Sequence, residues 1–247
     1  MKFRVGSYRF NASIFIIAVF IGLFSFLITL GFWQLSRADE KRQIQQLKNT
    51  GINNQVLDLP IDLPIDLDIF RYRKVKVSGH YDSNHQILID NQIRKGKSGY
   101  FVLTPVKFSG SSKAVLVNRG WVLADNDRTR LPEISLVNIQ DISISGRINA
   151  FPKPGIKLKG ADIPSEGWPA VVQIINIDLI SKKLGYPVHN FQIELDAELA
   201  QGFYRRWHEA KLITPQKHTA YAFQWFALAL TLLGLFLWHS IEKRINE

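Results

Sequence analysis

The chain has no cysteine, and its one methionine is residue 1. The first absence excludes disulfides, thiolate nucleophiles and the cysteine-rich sites that hold copper or structural zinc; the second removes Met-rich copper sites. The signatures of catalysis are missing too: there is no nucleophile elbow, H-E-x-x-H pair, phosphate loop or G-x-G-x-x-G turn. This reads as a non-enzyme. No basic run or stacking motif suits a nucleic acid. The net charge of +10 is spread along the 247 residues and fits anionic lipid head groups or an anionic ligand.

Charge itself is missing from two windows, Ile14 to Trp33 and Ala220 to Trp238. At 1.5 Å rise per residue, runs of about 20 residues cover roughly 30 Å, the thickness of a bilayer's hydrocarbon core. Both read as transmembrane helices. Lys2, Arg4 and Arg9 before the first run resemble the start of a signal peptide. Yet the run exceeds the roughly 7 to 15 apolar residues of a signal, and Trp33-Gln34-Leu35-Ser36-Arg37 is a poor cleavage site. The reading is a retained anchor. The predicted organisation is a tail on the inner side of the membrane (1–13), a first span (14–35), a β-rich outer domain with membrane-proximal helical segments (36–217), a second span (218–239) and a second inner tail (240–247). The class is thus an α+β membrane protein, with two transmembrane helices flanking a β-rich extramembrane domain. Orientation rests on a small asymmetry, because Arg37, Lys41, Arg42, Lys211 and Lys217 nearly balance the basic residues of the tails.

Between the spans, 37–48 reads as a polar continuation of the first helix. The stretch 57–70, with its repeated Leu-Pro-Ile-Asp, reads as an extended linker, since proline disfavours helix at itself and at the residue before it. From Tyr72 onward, "YRKVKVSGHY", "QILID", "YFVLTPVKF", "AVLVNRGWVL", "ISISGRI", "VVQII" and "FQIEL" are strands by alternation or by short β-branched runs. "SGSSK" (109–113) reads as a hairpin loop, 151–169 as a Pro/Gly-rich loop and "DLISKKLG" as a short helix with Asp178 near its start and Gly185 as its stop. An amphipathic segment, 196–212, leads back toward the membrane.

Six histidines are candidates for chemistry. His80 and His85 make at most half a metal site, and solvated strand-end residues explain them better. The second span opens with His218, Tyr221 and Trp225 at i, i+3 and i+7, with Gln224 beside them. Trp33, Gln34 and Arg37 end the first span at the same membrane level. An aromatic belt explains the tryptophans and the tyrosine. Two glutamines and a histidine point rather to a protein interior or a ligand.

"GFWQLSRADEK", "LIDNQIRKGKSGYFVLTPV", "VLVNRGWV", "WPAVVQIINIDLISKKLGYPV" and "HTAYAFQWFALA" stand in the order and spacing of the Surfeit locus protein 1 family, which the chain resembles from Gly31 to Leu230. The resemblance implies a two-span assembly factor of haem-copper terminal oxidases, in a bacterial inner membrane with cytoplasmic tails and a periplasmic domain or, in a eukaryote, in the mitochondrial inner membrane with the domain on the intermembrane-space side. It implies haem a as the bound or transferred cofactor and the oxidase catalytic subunit as partner, with the machinery that makes haem a as a further one. The family's haem-associated histidine falls on His218, the tentative iron ligand, with Tyr221, Gln224, Trp225 and Phe226 following. Trp33, Gln34 and Arg37 complete the candidate cofactor site by our own reading, and Arg37, Lys41 or Lys217 would meet the haem propionates. Asn118, Arg119, Gly120 and Trp121 read mainly as structure: a strand end, a tight glycine turn and a packed tryptophan. A cofactor-free membrane scaffold and a membrane-anchored enzyme are the competing readings.

Overall fold

Two apolar helices and a closed β-barrel make up the protein, as seen in a computed structural model that describes residues 2–5, 8–53, 55–59, 66–108, 110–136, 142–153, 158–207 and 214–243. They form two compact units, one of residues 1–46 with 211–247 and the other of residues 47–210.

The first unit is built on helices α1 (Ile14–Asn53) and α4 (Pro215–Ser240). Both are long and apolar enough to cross a membrane. The polar stretch after Trp33 continues α1 without a break, as its good helix formers predict. Helix α4 starts where Thr214 caps it through its side chain, followed by Pro215 at the first helical position. The helices run antiparallel: the Phe20 and Phe236 rings stack at 4.0 Å near one end, and the Phe32 and Phe226 rings meet edge to face at 5.5 Å toward the other.

The tails are more than flexible ends. Residues Lys2–Val5 (β1) and Tyr8–Asn11 (β2) form an antiparallel hairpin, and Ile241–Lys243 (β11) pairs with β2 in the register Ile241↔Phe10 to Lys243↔Tyr8. Because β2 leads into α1 and β11 follows α4, this pairing ties both tails to the same end of the helix pair.

In the second unit the predicted strands form as β4 (Lys74–Tyr81), β5 (Ile87–Arg94), β6 (Lys97–Phe108), β7 (Ala114–Leu123), β8 (Ile142–Asn149), β9 (Ala170–Val172) and β10 (Val188–Leu195). The ring β4-β8-β10-β7-β6 closes on itself through a β4–β6 pairing, so the sheet is a five-stranded barrel. All its pairs are antiparallel except β10 with β7. The closing seam is short, Gly79↔Phe108 to Tyr81↔Val106, and a side chain on Gly79 would collide with the Lys107 carbonyl oxygen. Strands β5 and β9 extend the sheet beyond β6.

Inside the barrel lie Val75, Val77, Val106, Val115, Val117, Ile144 and Ile193. A second apolar layer, with Ile87, Ile89, Leu103 and Leu116, packs beneath helix α3 (Ile177–Leu184) through Ile180 and Leu184. Strand β7 is therefore buried on both faces, which explains its continuous apolar run in place of alternation. The cap of α3 is Asn176, whose side chain accepts from the Asp178 and Leu179 amides; Asp178 sits in the first turn and Gly185 ends the helix at φ 78°.

Three expectations need correction. The linker carries a two-residue strand, β3 (Leu57–Asp58), and a single helical turn, α2 (Leu67–Phe70), while 60–65 lie outside the described residues. The amphipathic segment is not helical over 196–207: Arg205 donates to the carbonyls of Asp196, Ala197 and Leu199, and Tyr204 bridges to Trp121, so the backbone is held in turns. Its remainder, with His208, falls outside the described residues. Gly120 is not in a tight turn but within β7, at φ 114°, where the chain at Phe203 and Tyr204 passes too close for a side chain.

Candidate functional site

The candidate cluster lies in the first unit, beside the contact of α1 and α4 at Gly31 and Phe226. Small residues set that approach. Phe226 fills the space a Gly31 side chain would need, and Ala38 and Ala222, 0% and 1% exposed, face the contact. Close backbones held by small residues are a general means of packing helices in lipid.

At this level His218 is only 8% exposed, and its Nδ1 lies 2.7 Å from the Gln34 side-chain oxygen. Two turns further along α1, Arg42 donates to the Thr219 hydroxyl at 3.1 Å. This second link was not expected from the sequence; an arginine two turns beyond Gln34, on its side of the helix, was its only signal. Trp33 and Arg37 form a pair of their own on α1, the guanidinium 5.7 Å from the ring centroid, and Arg37 also donates to Glu40 at 2.6 Å. That bond and the guanidinium's charge hold the Glu40 carboxyl below its usual range.

The seven candidate residues are thus not one closed pocket. His218 and Gln34 meet directly, Trp33 stacks with Arg37, and Trp225 is half-buried. Tyr221 and Gln224 are exposed. The buried stripe of α4 runs His218, Ala222, Ala229, so Tyr221, one position before Ala222, turns outward. Lys217 is exposed and Lys41 half-exposed.

In the second unit, the Asn118 to Trp121 motif is a structural centre. Asn118 donates to Gln192 at 2.9 Å, and the Trp121 indole donates to the Gln92 carbonyl at 2.7 Å. Arg119, 3% exposed, donates to Gln86, to the Ile134 carbonyl and to the Gln201 carbonyl, and lies over the Phe203 ring. Burial pulls its pKa down to about 10.

His85 does not pair with His80. Its Nδ1 meets Asp82 at 2.7 Å, and the same carboxylate accepts from Tyr186 and Lys107, while His80 is exposed on β4. Among the described residues no group of three His, Cys, Asp or Glu side chains is placed to hold a metal ion. A cavity of about 380 Å³ lies beside Asp90, Gln92, Lys153 and Gln173, and Asp90 is paired with Arg128.

A sequence profile of the SURF1 family matches residues 21–230, which runs from within α1 to within α4 and takes in the whole barrel. The chain belongs to the SURF1 family. A SURF1-like protein of Rickettsia conorii is 29% identical over 226 residues, covering 87% of this chain and 86% of the relative. Cytochrome oxidase assembly protein SHY1 of Saccharomyces cerevisiae is 27% identical over 119 residues, 47% of this chain and 31% of that protein. Surfeit locus protein 1 of Rattus norvegicus is 30% identical over 131 residues, 44% of this chain and 42% of the relative.

Proposed function

We propose that this SURF1-family chain is a non-enzymatic assembly factor for a haem-copper terminal oxidase, anchored by two membrane spans with its barrel in the periplasm, and that it holds haem a as cargo for the catalytic subunit. The assembly role is supported by family membership and by the name of the yeast relative. The same-end pairing of β2 with β11 supports tails on one side of the membrane.

The cargo reading rests on one observation: His218, nine-tenths buried at the head of an apolar helix, has its Nδ1 hydrogen-bonded to the Gln34 amide. A neutral imidazole can ligate haem iron. The residues around it fit the rest of a haem. Trp33, Phe32, Trp225 and Phe226 offer apolar surface for the macrocycle. Arg37, Lys41 and Lys217 supply cations for the propionates. A scaffold that binds no cofactor is favoured by a different observation, the exposure of most of both helices, which leaves broad surface for other membrane proteins.

Colour separates the two readings. Protein purified in detergent from cells that make haem a should carry a Soret band at close to one haem per chain. A colourless protein that still co-purifies with the oxidase catalytic subunit would establish the scaffold and end the cargo reading.

A further inference from the structure

The Gln34 to His218 contact carries more than helix packing. An imidazole can offer iron a lone pair from only one nitrogen, and the other must then carry the proton. Gln34 presents its carbonyl oxygen to Nδ1 at 2.7 Å. A carbonyl oxygen only accepts, so this contact suits a proton on Nδ1, and in the neutral ring that tautomer leaves the lone pair on Nε2. No described residue bonds Nε2. The contact is also geometrically determined: Gly31 and Ala38, one turn either side of Gln34, and Ala222, one turn beyond His218, bring the two backbones close enough for an amide to reach the ring directly.

We infer that Gln34 is a positioning residue, which does not touch the cargo but selects the Nδ1–H tautomer of His218 and presents Nε2 as a ready ligand for iron. This rests on the cargo reading proposed above for what Nε2 binds, though not for which nitrogen is protonated. Histidine ligands in metalloproteins commonly have their second nitrogen bonded in this way, and loss of that partner lowers metal affinity about 10- to 100-fold. A neutral amide in the partner position, unlike a carboxylate, adds no charge to a site at the membrane.

The test uses the full chain in detergent, labelled with 15N-histidine, the His218 signals being assigned by their loss in His218→Ala. In the cargo-free protein Nδ1 should carry the proton and Nε2 should be of the unprotonated type. Gln34→Leu should move the proton toward Nε2, and Gln34→Glu, which keeps an acceptor in place, should retain Nδ1–H. Titration with iron protoporphyrin IX should show affinity about 10- to 100-fold lower in Gln34→Leu and restored within a few-fold in Gln34→Glu. Unchanged helix content by circular dichroism separates these effects from misfolding, and Gln34→Met serves as a second variant should Gln34→Leu be unstable. A wild-type proton on Nε2, or a tautomer indifferent to Gln34→Leu, would overturn the inference. Should the wild type fail to bind the porphyrin while its tautomer responds to Gln34, the positioning role stands and the cargo reading falls.

Discussion

The Phe226 ring of α4 lies where the first side-chain carbon of residue 31 in α1 would stand, so the two helices meet only because that residue is glycine. Gly31→Val should force the helices apart. Overpacking of this kind typically costs about 1–3 kcal/mol. Thermal unfolding in detergent should show the loss, and the Gln34 to His218 bond should break with it, read as loss of the Nδ1–H signal. Retained stability together with retained Nδ1–H would mean that the helices do not cross there.

In the barrel domain, Arg119→Leu should destabilise severely. The side chain satisfies Gln86 and two carbonyls in the interior, and each buried acceptor left unpaired costs about 1–3 kcal/mol. Arg119→Lys should rescue little, because an ammonium cannot span the same acceptors. Denaturant titration monitored by tryptophan fluorescence measures both. A variant of wild-type stability would demote the motif from structural centre to surface ornament.

Acid should weaken the same domain through Asp82. Burial alone would raise the pKa of this carboxyl, but hydrogen bonds from Tyr186, Lys107 and His85 outweigh it and hold the group below its ordinary range. A depressed folded-state pKa stabilises above the unfolded value, near about 3.9, and that contribution is lost as pH falls through the folded value. Wild type should therefore lose stability below about pH 4 by more than Asp82→Asn does, and Asp82→Asn should be the weaker protein at pH 7. Parallel acid curves for the two would remove Asp82 from the account.

Topology has a direct check. A reporter active only in the periplasm should work when inserted at Ser111, in the loop between β6 and β7, and should be silent when fused after Glu247. The reverse pattern would invert the orientation and move the His218 level to the cytoplasmic face.

The strands of the barrel were legible because alternation and β-branched runs carry their own signal; the run Ala114 to Leu123 has the bounds of β7, although a turn was expected at Gly120 inside it. Closure was not legible, since the β4–β6 seam depends on Gly79 passing the Lys107 backbone, a contact 28 positions away that no local pattern records. The segment 196–207 looked amphipathic because its apolar residues are spaced for a helix. Tertiary bonds won: the Trp207 indole donates to the Leu195 carbonyl and Arg205 occupies carbonyls a helix would need. At the candidate site, shared membrane level was enough to bring Gln34 and His218 into one cluster. Which neighbour of His218 turns inward was not, because Tyr221 at i+3 and Ala222 at i+4 are equally placed by periodicity, and only the close approach at Gly31 favours the smaller one.

The central claim is that His218 ligates haem iron, and the visible spectrum of three single variants tests it most directly. His218→Ala should lose most bound haem while the protein stays in the membrane, since α4 remains long enough to span. Trp225→Ala should lose about 1–3 kcal/mol of binding through lost apolar contact. Lys217→Ala should lose less than about 1 kcal/mol, as befits a solvated ion pair. The predicted order of severity is His218, then Trp225, then Lys217. A His218→Ala protein that keeps its haem spectrum and supports oxidase assembly, while Trp225→Ala loses both, would contradict the account.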